Sequence, residues 1–387
     1  MRVEPRVAYL FLSMLQARVG ASVVSRLGDL NPADVLALPA GEIATRVKLT
    51  EKGWRAFEEL KESFDPATVL ARLEEKGIGA VTFADEGYPS ALAEIPDPPP
   101  ALFVDGDVPL GPTVALVGSR KASATGIEAA RTLGRALGER EVCVASGLAL
   151  GIDAAAHEGA VEAGGPTIGV LGCGIDVVYP RSNRLLFGRV KSGGGIVSEY
   201  YLGEAPLQWR FPARNRIIAG LSDVVVVVEA PEKSGALITA RHALEAGRDV
   251  WAVPGPFAFA ECRGSNALLA DGAGVLWDLD RFLEVVAPEA ASARLPVEQD
   301  AAAGMEPIPA ELPEKEAAAL AGVGFEPAGV DVVARRVADF AGGVEMRELL
   351  SALALLELKG YVTRDAGGAF VRNSIGGPSR NPGGMRW

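Results

Sequence analysis

The sequence has 387 residues, with 38 Lys+Arg against 50 Asp+Glu, a net charge of −12, two histidines and three cysteines. At roughly 150 residues per domain, that length accommodates two or three domains. Hydrophobic residues at 49% and charged residues at 23% argue against global disorder. Cys143, Cys173 and Cys262 form no CxxC pair, which speaks against a disulfide framework or a thiolate zinc site. His157 and His242 are too few for a multi-histidine metal centre, so no cofactor is expected. No apolar run reaches the ~18–20 residues of a membrane span, and the short opening run Ala8–Leu15 lacks a cleavage site. The expectation is a cytoplasmic protein with no membrane partner.

Residues 1–65 read as a small helical domain, SAM- or helix-hairpin-helix-like. Apolar residues recur at helical spacing in Leu12, Leu15, Val19 and in Trp54, Phe57, Leu60, and Asn31-Pro32 is a helix-start signal. Residues 66–288 change character. Valine-rich runs appear at 114–117, 142–145, 167–171, 196–198, 224–228 and 250–253, after strand candidates at 79–83 and 101–104. Runs without polar alternation suit strands buried on both faces of a parallel sheet. Helical patterns at 127–137, 154–163 and 236–246 lie between them, the alternation of a doubly wound α/β fold. Residues 289–309 are rich in Ala, Pro and Glu and read as a linker. Within 310–373, three helical stretches precede two short strands around a Gly-Gly turn, the pattern of a winged helix. Residues 374–387 form a Gly-, Pro- and Arg-rich tail expected to lack order.

The chemistry-bearing residues follow the strands, where a doubly wound sheet binds its ligands. Val117-Gly118-Ser119-Arg120 offers a close-approach glycine and donors for a phosphate, although the spacing is neither Walker A nor GxGxxG. Gly118 also reads simply as a turn residue. Ser146-Gly-Leu-Ala-Leu-Gly-Ile-Asp153 precedes His157, which shares a helix face with Asp153. Ser146 has no GxSxG elbow around it, so Gly147, Gly151, Asp153 and His157 read as loop support rather than as a catalytic set. Gly172 and Gly174 flank Cys173 in a further tight turn, and Glu229, Ser234 and Gly235 complete the rim.

The most informative stretch is 178–220. Seven cations (Arg181, Arg184, Arg189, Lys191, Arg210, Arg214, Arg216) face two carboxylates (Glu199, Glu204), a local positive excess in a negative chain. Tyr179, Phe187, Tyr200, Tyr201, Trp209 and Phe211 are interleaved with them. Cations for phosphates beside flat rings for bases are the means of single-strand binding. Arg214 and Arg216 lie about 200° apart around a helix, so one is expected to meet phosphate and the other to make an internal ion pair. The competing reading is a solvated basic face with the aromatics in the core.

Together these segments resemble the DNA processing protein A family, also called DprA or Smf. The resemblance rests on VGSR from Val117, SGLALGIDAAAH from Ser146 and GCGIDVVYPRSNRLL from Gly172. It continues through SEYYLGEAPLQWRFPARNRIIAGLS from Ser198, EAPEKSGALITARHALEAGRDVWAVPG from Glu229 and RGSNALLADGA from Arg263. It implies an extended Rossmann-like domain that binds single-stranded DNA as a homodimer, protects incoming strands during natural transformation and loads the RecA recombinase. The implied DNA-binding residues are Gly118, Ser119, Arg120, Arg184, Phe211, Arg214, Asn215 and Arg216. The variable segment Pro231-Glu-Lys233 departs from the pattern. The rival function is a nucleotide phosphoribohydrolase similar to the LOG family, against which Pro254-Gly-Pro-Phe257 lacks the second glycine and threonine of PGGxGT.

Overall fold

The computed structural model describes residues 4–20, 23–27, 30–109, 111–287, 312–323, 328–341, 346–359, 361–364 and 369–372. The expected linker and tail lie outside the described residues, as does the Gly-Gly turn. The chain forms two compact units, Met1–Arg294 and Leu295–Trp387.

The first unit is built on a nine-stranded sheet. In chain order its strands are β1 (Gly79–Thr82), β2 (Ala101–Gly106), β3 (Thr113–Val117), β4 (Cys143–Ser146), β5 (Thr167–Leu171), β6 (Gly194–Ser198), β7 (Val224–Val227), β8 (Asp249–Ala252) and β9 (Gly274–Val275). Their spatial order is β1-β2-β6-β5-β4-β3-β7-β8-β9. The β1–β2 and β2–β6 pairs are antiparallel, and every other neighbouring pair is parallel. The valine runs are explained by what lies on either face. Ala115, Val117, Val225 and Val227 enter one core, while Val114, Leu116, Val224 and Val226 enter the other. Each fully buried Val or Leu contributes roughly 1.5–3 kcal/mol, so polar alternation has no place in these strands.

Strand order also fixes the ligand crevice. From β3 the chain steps outward through β4, β5 and β6. It then returns to place β7 on the other side of β3 and continues to β8 and β9. The crevice of such a sheet opens where the order reverses, between β3 and β7. The helices α6 (Ala124–Gly138) and α7 (Ile152–Glu162), which follow β3 and β4, pack unusually closely. A Cβ on Gly134 would run into the carbonyl of Ala156, and one on Gly159 into that of Arg131.

Ahead of the sheet, α1 (Pro5–Val19), α2 (Ala40–Arg46) and α3 (Glu51–Ser63) share a core in which Phe11 meets Phe57 edge-on at 5.5 Å. These helices belong to the same compact unit as the sheet. Two polar residues of α1 are buried against it: Ser13 donates to the Glu199 carbonyl and Gln16 to the Glu199 carboxylate. The other helices of this unit are α4 (Pro66–Glu74), α5 (Ser90–Ala93), α8 (Arg184–Ser192), α9 (Arg210–Gly220), α10 (Ala236–Glu245), α11 (Arg263–Ala270) and α12 (Leu279–Val286).

The second unit contains α13 (Glu314–Gly322), α14 (Val330–Ala341) and α15 (Met346–Leu358). They are followed by the antiparallel pair β10 (Val362–Arg364) and β11 (Phe370–Arg372). Leu320, Val333, Leu353, Leu356 and Phe370 fill its core. Three helices and a strand pair are what the sequence pattern predicts here.

Candidate nucleic-acid interface

A cleft of about 570 Å³ opens at the β3/β7 reversal. One wall is the loop after β3. A Cβ on Gly118 would fall 2.5 Å from Ile152 Cγ1 and 2.8 Å from the Glu229 carbonyl, so only glycine fits. The Ser119 amide donates to that carbonyl at 2.7 Å, and the Ser119 hydroxyl accepts from the Lys121 amide. Held in this way, the loop leaves Arg120 and Lys121 exposed on the cleft. The Arg120 guanidinium lies 5.1 Å from the centre of the Phe211 ring.

Helix α6 starts beside this loop, yet its N-terminus is already occupied. Glu229 accepts from the Ser123 amide at 2.8 Å and from the Ser123 hydroxyl, and Ser123 caps Gly126. An internal carboxylate thus fills the position where a helix dipole would hold a phosphate. At this helix end, an anion would have to be met by side-chain cations instead.

The floor comes from the loop after β4 and from α9. The Gly147 amide donates to Asp153 at 3.1 Å, and the Gly147 carbonyl accepts from Arg214 at 3.1 Å. Arg214 also donates to the Val170 carbonyl and to the Asn215 side chain. It is buried and lines the cleft, and among the described residues no carboxylate lies within ion-pair distance of it. Burial is the largest influence on this pair. It pushes the Asp153 carboxyl up and lowers Arg214's hold on its proton, and each charge partly offsets the other's loss of water. The guanidinium stays charged, with the Asp153 carboxyl as its main opposing partner across Gly147. Gly151, at φ 80, leaves no room for a side chain against the Ser119 carbonyl. Asn215 donates to the Gly235 carbonyl at 3.1 Å, and Ser234 accepts from the Ala236 amide, joining α9 to the start of α10.

Arg216 lies elsewhere. It is buried, donates to both Glu199 oxygens at 2.9 and 2.7 Å, and its Nε lies 3.2 Å from Asp97. Arg210 is likewise turned inward, onto Glu204 and the Ala17 carbonyl, with its guanidinium 4.5 Å from the centre of the buried Tyr200 ring. Lys191 pairs with Asp105 at 2.7 Å. The basic–aromatic stretch is therefore not one continuous surface, because four of its seven cations are engaged internally or buried. Arg184 is exposed at the start of α8, but it is not among the residues lining the cleft.

A second, smaller cavity of about 60 Å³ shares Arg120, Phe211 and Arg214 with the cleft and extends it to Tyr179. The Tyr179 and Phe211 rings are 5.4 Å apart, and Tyr179 is 42% exposed. Gly172 makes room for Phe211, since a Cβ there would lie 2.9 Å from the ring. Gly174 closes its turn by donating to the Glu204 carbonyl at 2.8 Å.

A family model described as DNA recombination-mediator protein A matches residues 79–287, and one described as the DprA winged helix domain matches residues 303–368. The chain belongs to the DprA/Smf family. The Smf protein of Escherichia coli is 39% identical over 315 residues, covering 78% of this chain and 79% of that protein. Smf of Synechocystis is 41% identical over 229 residues, 58% of each chain. The X-ray structure of DNA processing protein A from Streptococcus pneumoniae superposes with a TM-score of 0.61 at 36% identity, covering 73% of this chain and 98% of that one.

Two residues of this DprA/Smf chain escaped the sequence reading. Asn183 donates to the Leu148 and Ala149 carbonyls at 3.0 and 3.2 Å, tying the segment that carries Tyr179 to the loop after β4. Its signal was its place in the quoted YPRSN stretch. Tyr179, read only as one aromatic among several, is the one whose ring lies against Phe211.

His157 is fully buried, and its Nδ1 lies 2.7 Å from the Thr167 hydroxyl. That hydroxyl donates to the Val144 carbonyl, so Nδ1 carries the proton. Burial pushes the His157 pKa down to about 3. The unfolded chain takes up a proton near pH 6.5 that the folded protein refuses, so stability falls as pH drops from about 6.5 toward about 3. His157→Gln is expected to flatten urea-midpoint curves across that window, by up to about 1.4 kcal/mol per pH unit.

Proposed function

We propose that this chain binds single-stranded DNA along the cleft and the Arg120–Phe211–Tyr179 surface, and holds it without altering it. The observation that carries this reading is the exposed Arg120 standing over Phe211 at the mouth of a cleft whose floor holds the buried Arg214. The cations attract phosphates, and the exposed ring surface stacks bases whatever their identity.

Three candidates for nucleophile or base, Ser146, His157 and Cys173, are tied into the fold. Ser146 donates to the Leu116 carbonyl at 2.6 Å, His157 is sealed and neutral, and burial pushes the Cys173 thiol up to about 11. This favours a binding protein over a Ser-, His- or Cys-based enzyme, and Pro254-Gly-Pro-Phe257, without the glycine and threonine of PGGxGT, speaks against a phosphoribohydrolase. Membership of a family described as recombination mediators supports a role for the bound strand in recombination; shielding incoming strands, delivering them to RecA and working as a homodimer are the finer parts of the same proposal.

Fluorescence anisotropy with labelled single- and double-stranded oligonucleotides of one sequence tests the reading over a salt series. Single strands should bind more tightly, with a log–log salt slope of about −0.7 per phosphate contacted. Equal affinity for both forms would refute it.

A further inference from the structure

The loop between β8 and α11 holds two of the most exposed large apolar side chains among the described residues, Phe257 at 90% and Phe259 at 57%. It is not slack. The Gly255 amide donates to the Asn266 side chain at 3.1 Å, and Asn266 donates back to the Gly255 carbonyl at 3.0 Å. The Phe259 amide closes a turn onto Pro256, and the Cys262 amide another onto Phe259. Rings held in solvent on a braced loop cost free energy unless something covers them.

The loop's position names the occupant. Ala260 and Glu261, which follow Phe259, line the cleft. In the sheet β8 lies beyond β7 from β3, so this wall stands two strand positions, about 10 Å, from the Arg120 loop. The charges of the two walls differ. Arg120 and Lys121 offer cations on the β3 side, while the β8 side offers Glu261, which repels phosphate; Phe257 and Phe259 are outside the cleft lining, on the loop that leads into Ala260 and Glu261.

Resting on the single-strand reading above, we infer that the cleft is polarised: the strand's phosphates run along the Arg120–Lys121 wall, and its bases turn toward Phe257 and Phe259, which stack on them. The two rings are binding residues for DNA at a place that the basic–aromatic stretch does not reach.

The test compares wild type, Phe257→Ala/Phe259→Ala and Arg120→Ala in binding a long oligo-thymidine strand over a salt series. Both rings are exposed, so the double variant should melt as wild type does. It should bind about tenfold more weakly with an unchanged salt slope, because stacking releases no counterions. Arg120→Ala should weaken binding and flatten the slope. Phe257→Trp should keep the affinity and add tryptophan quenching when the strand binds. Unchanged affinity in the double alanine variant beside a weakened Arg120→Ala would overturn this inference alone, as would a slope flattened by loss of the rings. No effect from any of the substitutions would bring down the cleft reading and this inference with it.

Discussion

Glu199→Ala is expected to lower the free energy of unfolding by about 3–5 kcal/mol, the loss that follows when one partner of a buried ion pair is removed. The carboxylate is 4% exposed and receives two hydrogen bonds from Arg216 and one from Gln16 of α1, while the Glu199 carbonyl takes Ser13. Without it, the Arg216 guanidinium keeps only Asp97 and the Ala213 carbonyl. Burial alone would push the Glu199 pKa up; the Arg216 charge and its hydrogen bonds outweigh that and hold it below the usual carboxylate range. Arg216 is raised in turn by the same contact, so the two partners agree. Because the folded pKa is depressed, the pair's contribution is complete above the unfolded carboxyl value and is lost as pH falls through the folded one. Urea unfolding at neutral pH and at pH below the usual carboxyl range measures both effects. A Glu199→Ala midpoint close to wild type would show that the pair contributes nothing net. Since Glu199 anchors both α1 and α9, the loss should also loosen the first helix, read as faster hydrogen exchange there.

Eight of the nine strands were legible, most of them because strands buried on both faces read as unbroken valine-rich runs bounded by turn residues; β9, only two residues long, gives no such run. The glycine loops were legible for a similar reason. Gly118 and Gly172 stand where a backbone or a ring approaches too closely for a Cβ. The fate of each cation was not legible. Spacing shows that Arg214 and Arg216 diverge. Both are buried, and that Arg216 rather than Arg214 takes the ion pair depends on Glu199, 17 residues away, and on Asp97, 119 residues away. The occupied N-terminus of α6 depends in the same way on Glu229 reaching Ser123 across 106 residues. Arg184 shows the converse: a basic residue at a motif position lies exposed, outside the cleft lining. Local pattern reports what a strand or turn requires of its own residues, whereas charge compensation is decided by contacts that only the fold brings together.

Arg120→Ala should have the largest effect on binding, weakening the affinity for single-stranded oligonucleotides by about ten- to a hundredfold, the worth of one hydrogen-bonded charge of roughly 1.5–3 kcal/mol. Arg120 is the cation best placed for this among those lining the cleft. Its side chain is exposed, and its guanidinium is held over the Phe211 ring without a carboxylate within ion-pair distance among the described residues. Arg214 is harder to test alone, because removing it also strips buried carbonyls and leaves Asp153 without its nearest cation. Arg120→Ala leaves the fold intact, so its melting temperature should match wild type. Two further readings separate a phosphate contact from a general loss of charge. The salt slope should fall by about 0.7, one phosphate's share, and the weakening should be the same for thymidine and adenosine strands. Arg120→Lys keeps the charge but loses the planar group that lies on Phe211, and should recover only part of the affinity. An affinity and slope unmoved by Arg120→Ala would mean that the strand's phosphates do not meet the one exposed guanidinium that stands over Phe211, and the proposed path across that ring would fall.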